Sequence, residues 1–179
     1  MKPSLSILLP VFNPTLGWEK NVVLKYNELY EKLDSEFELF LQIVNDGSIV
    51  EINSKSLEFI KSNIDNFNYF EYKENKGKGF ALRYAIQKID SDFIVYTDID
   101  FPYEISSILE VVKKILNVEV VIGIKDKTYY QHLPKQRKFI SLLLQKMIRF
   151  IFHGLLTSDT QCGLKGMNRT GKDVFLTTT

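Results

Sequence analysis

The sequence predicts an α/β protein with a mostly parallel central sheet and helices on both faces. Three observations carry that prediction. Strand-like and helix-like stretches alternate at βαβ spacing five times over. Most of the strand-like runs are short, β-branched and aromatic, as in strands covered on both sides. The polar breaks after them gather Asp, Asn, Lys and Gly where an open parallel sheet places its ligands, at the carboxyl ends of the strands.

Leu5 to Val11 is a compact apolar run and reads as the first strand; Asn13-Pro14-Thr15 breaks it and can start a helix. From Trp18 to Leu33, the residues Val22, Val23, Tyr26, Leu29, Tyr30 and Leu33 share one helical face. Phe37 to Val44 is the second strand, ending in the polar turn Asn45-Asp46-Gly47-Ser48. Ile52, Leu57, Ile60 and Ile64 mark a second helix, and the alternation of Phe67 to Tyr72 marks a third strand. Asn75-Lys76-Gly77-Lys78-Gly79 opens a helix running to about Ile89. Phe93 to Thr97 is the fourth strand. Ile105, Ile108, Leu109, Val112, Ile115 and Leu116 give the next helix, and Val118 to Ile124 a fifth strand. Lys127 to Pro134 reads as a loop, and Lys135 to about His153 as a helix.

At 179 residues the chain has the length of one domain with a proper core, and residues 1–179 are expected to form a single unit. Hydrophobic residues are 45% and charged residues 25%, as in soluble globular proteins. A formal charge of +1 provides no global field for nucleic acid, so none is expected as a partner. Cys162 stands alone, which excludes an internal disulfide or a cysteine-rich metal site and fits a reducing compartment. The apolar run ending at Pro10 is too short for a secretory leader, and no uninterrupted apolar stretch is long enough to span a bilayer.

The chemistry centres on Tyr96-Thr97-Asp98-Ile99-Asp100-Phe101-Pro102. Asp98 and Asp100 stand one residue apart just past a strand, with no basic residue adjoining them. Such a pair suits Mg²⁺ or Mn²⁺, which takes one or two carboxylates and leaves its other positions to water and phosphates. Chance is the bland alternative, and Asp90-Ser91-Asp92 shows it, having the same spacing. That second pair precedes the strand, so it belongs at the opposite sheet edge as a helix-to-strand turn. A nicotinamide or flavin Rossmann enzyme is not expected, because Val11-Phe12-Asn13-Pro14 has no glycine after the first strand; no Walker A sequence is present either. Gly77 and Gly79 allow close backbone approach and Lys76 and Lys78 can meet phosphate; a polar loop opening a helix is the equal alternative. His132 and His153 lie in no ligand cluster.

Five pieces, in order, resemble the family 2 glycosyltransferases of GT-A fold: Ser6-Ile7-Leu8-Leu9-Pro10-Val11-Phe12-Asn13, Ile43-Val44-Asn45-Asp46-Gly47-Ser48, Asn75-Lys76-Gly77-Lys78-Gly79 through Arg83, Asp98-Ile99-Asp100, and Asp159-Thr160-Gln161-Cys162-Gly163-Leu164-Lys165. The last is the most specific and is similar to a stretch of the dolichyl-phosphate β-glucosyltransferases and their bacterial polyprenyl-phosphate relatives. The resemblance implies an inverting, metal-dependent transfer from a UDP-sugar to a polyprenyl phosphate. It implies that Pro10, Phe12, Asp46 and Arg83 line the uridine pocket, with Asp46 accepting from the uracil N–H, and that Lys78 sits near the nucleotide. Asp98 then approaches ribose or metal and Asp100 ligates the metal. Asp159 acts as base or acceptor-orienting group, with Gln161 near the acceptor; Lys125 also faces the acceptor, and Arg137, at the start of the basic, apolar 135–153 stretch, can address its phosphate. There are departures: Asn45 stands where the family has Asp, Pro14 where an acidic residue is common, and Lys125 near where relatives carry Arg. The resemblance also implies that the catalytic domain continues past Thr179. Transfer to a sugar hydroxyl, and a non-catalytic UDP-binding module, are the alternatives.

The stretch from Lys135 to His153 surrounds a narrow polar stripe with bulky apolar residues, and Lys127 to Ser158 holds six Lys/Arg and no Asp/Glu. A peripheral contact with the cytoplasmic face of a membrane fits this pattern, as does a core helix or one that packs on a further segment of the protein.

Overall fold

The computed structural model describes residues 1–50, 52–124 and 162–177. By contact pattern the chain divides into one unit of residues 1–121 and 163–179 and a second of 122–162. The expected helix at 135–153 and the candidate residues Lys125, Arg137, Asp159 and Gln161 lie outside the described residues.

The first unit is built on a parallel sheet. Strand β1 (Ser4–Val11) is its centre, paired in parallel with β2 (Glu38–Asp46) on one side and β4 (Phe93–Tyr96) on the other. Strand β3 (Phe67–Tyr72) extends the sheet beyond β2, again in parallel. The full order is β3-β2-β1-β4-β6-β5, where β5 is Val120–Ile122 and β6 is Lys165–Asn168. Between the strands run α1 (Trp18–Leu33), α2 (Ser54–Asn63), α3 (Lys78–Ile86) and α4 (Ile105–Ile115), and α5 (Arg169–Thr177) follows β6. Five strands and four helices therefore appear where periodicity placed them, with ends shifted by a few residues. Strand β6 was not expected, and it runs antiparallel to β4.

Alternation along the strands sorts the side chains to two faces. Leu8, Val44, Ile94, Tyr96 and Met167 face α3 and pack on Ala81, Leu82, Ala85 and Ile86. Leu5, Ile7, Leu9, Leu41 and Ile43 point the other way and are fully or nearly fully buried. That face is covered by α1, α2 and α4, with α1 touching the other two. Pro10 is tolerated in the central strand for a specific reason. Thr97 N–H donates to Leu8 O, so residues of that parity address β4, and the β1–β4 ladder ends at Leu8–Tyr96. The N–H that Pro10 lacks falls where β4 has already left the sheet.

Gly166 lets α4 approach β6. A Cβ there would lie 2.6 Å from Val111 Cγ1 and 2.8 Å from Ile115 Cγ2. Gly166→Val is expected to lower stability by about 1–3 kcal/mol through overpacking. A fall in the denaturation midpoint checks it, and an unchanged midpoint would show that α4 can move aside.

Candidate active site

The carboxyl ends of β1, β2 and β4 and the start of α3 meet at one edge of the sheet, as parallel topology requires. The loops there are tied to one another. Asn13 adopts a left-handed conformation (φ 46°), which Asn tolerates better than most residues. Its Oδ1 accepts from Ile49 N–H (2.8 Å) and Val50 N–H (3.2 Å), and its own N–H donates to Ser48 Oγ (3.0 Å). Ser48 in turn donates through Oγ (2.6 Å) and N–H (3.0 Å) to Asn45 Oδ1. Phe12, beside this staple, is 44% exposed and leaves an aromatic face available.

Asn45 and Asp46 are neighbours on a strand, so they serve opposite faces. Asn45 lies in the wall of an open cleft of about 1080 Å³ with Ser48, Asn53, Tyr69 and Glu71. Burial pushes the Tyr69 phenol beside it up to about 12, with the Asn45 side chain pulling the other way. Asp46 faces α3 and is buried. Its Oδ1 accepts from the Tyr72 hydroxyl (2.6 Å) and Lys76 N–H (2.8 Å), and its Oδ2 from Asn75 Nδ2 (3.0 Å). Burial, then the bond to Asp46, raises the Tyr72 phenol well above its ordinary value. Three donors already fill most of this carboxylate's acceptor sites. Asp46 is thus the anchor of the loop that leads into α3.

Past β4 the chain turns sharply. Phe101 N–H donates to Asp98 O (3.0 Å), and Phe101 is buried with φ 50°. An aromatic residue in the left-handed region is a strained choice held by its surroundings. Asn21 of α1 secures the turn by donating to Asp100 O (3.2 Å). The turn projects both carboxylates from the sheet edge. Asp100 is exposed, and no ion-pair partner is placed on its carboxylate among the described residues.

Asp98 differs from its reading in the sequence. It has a basic neighbour: Lys78, the first residue of α3, forms an ion pair with Asp98 Oδ1. The two residues are 20 apart in sequence and meet because α3 begins at the edge where β4 ends. Gly163 lies against the other oxygen, Oδ2, so closely that a Cβ at 163 would overlap it. Gly163 is held there by its N–H, which donates to the Tyr103 hydroxyl (2.8 Å).

Arg83 lies on α3, five residues past Lys78. Its guanidinium donates to Phe175 O (2.9 Å) and lies over the Phe175 ring (5.2 Å), tying α3 to α5. The look-alike pair sits at the far edge, as its position before β4 implies. Asp92 Oδ2 accepts from Ser4 N–H (2.8 Å) and Ser4 Oγ (2.9 Å), and Asp92 Oδ1 pairs with Arg169 (3.0 Å). The Ser4 backbone bond, chiefly, holds this carboxyl below its usual range.

The donor set at Asp98 and Asp100 fits Mg²⁺ or Mn²⁺ of open coordination. It offers two hard oxygen ligands at a solvent-facing edge, and no cluster of three or more His, Cys, Asp or Glu among the described residues would form a closed cage. Among the described residues, no helix is long and apolar enough to cross a membrane.

This arrangement defines an α/β fold of the GT-A class. A solved mannosyltransferase from Pyrobaculum calidifontis, in complex with GDP-Man and Mn²⁺, shares the fold with a TM-score of 0.57 and 21% identity, over 95% of this chain and 46% of that one. The chain belongs to glycosyl transferase family 2, whose model matches residues 6–171. It is 26% identical over 184 residues to the dolichyl-phosphate β-glucosyltransferase of Saccharomyces cerevisiae, covering 92% of this chain and 54% of that protein. An uncharacterized glycosyltransferase of Rickettsia typhi is 26% identical over 165 residues, covering 85% of this chain and 48% of its own length. The chain thus spans about half the length of these two relatives.

Proposed function

We propose that the chain carries the donor-binding core of an inverting glycosyltransferase that uses Mg²⁺ or Mn²⁺ to move a sugar from a UDP-sugar to a polyprenyl phosphate. The observation that carries the proposal is the projection of Asp98 and Asp100 from the end of β4, beside the Lys78 ammonium. The divalent ion, when bound, supplies charge stabilisation for the departing diphosphate. Asp98 and Asp100 would hold it. Lys78 would meet the diphosphate as a point charge. Phe12 offers a stacking face for the base beside Pro10. Asp46 would shape the base pocket by fixing the 72–76 loop, with one acceptor site left for the base itself.

The acceptor assignment draws on the yeast relative, named a dolichyl-phosphate β-glucosyltransferase and matched across nearly all of this chain. A phosphate acceptor is already anionic, so no strong general base is needed. Asp159 and Gln161 would orient it, and Lys125 and Arg137 would address its charge, Arg137 through a two-pronged fork. The basic, apolar 135–153 stretch would rest on the cytoplasmic face of a membrane.

The test is a panel of nucleotide sugars with Mn²⁺ or Mg²⁺ against a short polyprenyl phosphate, using the full-length protein. Transfer from a UDP-sugar is expected, and Arg137→Ala should impair it at limiting acceptor while UDP affinity stays intact. Normal transfer by that variant would remove the lipid-phosphate assignment. UDP binding without turnover on any acceptor would remove the enzyme.

A further inference from the structure

We propose that Lys78 is a built-in stand-in cation, which occupies Asp98 until a diphosphate draws it away, so that divalent ion and nucleotide bind as a coupled pair. The inference rests on the metal reading above and adds an order to it. Each oxygen of Asp98 has a close neighbour, although the side chain is partly exposed. Lys78 pairs with Oδ1, and the Gly163 backbone lies against Oδ2. The Gly163 wall is fixed by its bond to the Tyr103 hydroxyl, whereas the lysine is a flexible side chain. Lys78 is therefore the side of Asp98 that can open.

The energetics favour exchange over a permanent pair. Lys78 and Asp98 are 42% and 40% exposed, so the pair is of the weak, solvent-screened kind. A diphosphate presents more negative charge to the ammonium than one carboxylate does, and a divalent ion presents more positive charge to Asp98 than one lysine does. Both exchanges gain when they occur together. Alone, a divalent ion meets only Asp100 unopposed, and it must compete with Lys78 for Asp98.

The control lies two residues away. Lys76 carries the same charge just before α3, but its ammonium sits over the Phe80 ring, 4.9 Å from its centre. Lys76→Met removes a charge from the neighbourhood without removing the competitor.

Mn²⁺ titrations of the whole chain, followed by the electron paramagnetic resonance of the free ion, test the proposal. Without nucleotide, Lys78→Met and Lys78→Gln should each bind Mn²⁺ about two- to fivefold more tightly than the parent, the range an exposed ion pair supports. Lys76→Met should not. Saturating UDP should tighten Mn²⁺ binding in the parent, and by a smaller factor in Lys78→Met. The same factors must appear in UDP affinity when Mn²⁺ is varied, because coupling is reciprocal. If Lys78→Met matches Lys76→Met, or UDP tightens Mn²⁺ equally in parent and Lys78→Met, the exchange is wrong and the metal site stands. If the parent binds no Mn²⁺ even with UDP, the metal site fails, and the exchange with it.

Discussion

Asp100→Asn is expected to abolish the Mn²⁺-dependent part of UDP binding, while Asp92→Asn leaves it in place. The two residues have the same chemistry and belong to pairs of the same spacing, so only their position in the sheet separates them. Asp100 stands past the carboxyl end of β4, exposed on a turn that Asn21 secures. Asp92 stands at the other end of the same strand, bound to Ser4 and Arg169. Asp100 would act through the ion it helps to hold; losing charge stabilisation of a departing anion commonly lowers turnover by on the order of 10²–10³, and transfer by Asp100→Asn should fall by that order. Asp92→Asn should instead cost about 1 kcal/mol of stability, because its bonds are structural and partly exposed. Calorimetric titration of UDP with and without Mn²⁺, beside thermal melts, reads both. Equal loss of metal-dependent binding in the two variants would remove the topological argument.

The largest stability effect should come from Asp46→Ala. The carboxylate is buried and satisfies three donors from the segment between β3 and α3. Truncation leaves the Tyr72 hydroxyl and the Lys76 N–H, both part-buried, without their acceptor, at about 1–2 kcal/mol each. A total on the order of 3 kcal/mol corresponds to a melting temperature lower by roughly 6–12 °C for a chain of this size. UDP affinity should fall too, since the same loop delivers Lys78. An unchanged melting temperature with weaker UDP binding would show that Asp46 reads the base and little else.

Much of the sheet was legible because apolar periodicity is a local signal. The runs at Leu5, Phe37, Phe67 and Phe93 are continuous enough to read without tertiary information. Strand β6 was not legible for the converse reason. Lys165-Gly166-Met167-Asn168 has no β-branched residue, and it is a strand only because β4 offers an open side and α4 needs a residue without a Cβ beneath it. The contrast between Asp100 and Asp92 was legible because strand direction alone decides it. The Lys78–Asp98 pair was not, because ion pairs between elements leave no mark in spacing.

The late arrival of β6 has a consequence for synthesis on the ribosome. Residues 4–96 supply β1 to β4 of the parallel sheet, but the free side of β4 finds its partner only at Lys165–Asn168. Roughly 70 residues must be translated between the two, several seconds at ordinary elongation rates of about 5–20 residues per second. During that interval Ile94 and Val95 present an unpaired apolar edge, the kind of template on which nascent chains pair with one another. A chain stalled before residue 165 is therefore a candidate for chaperone capture, whereas one released after Asn168 has closed that edge from within.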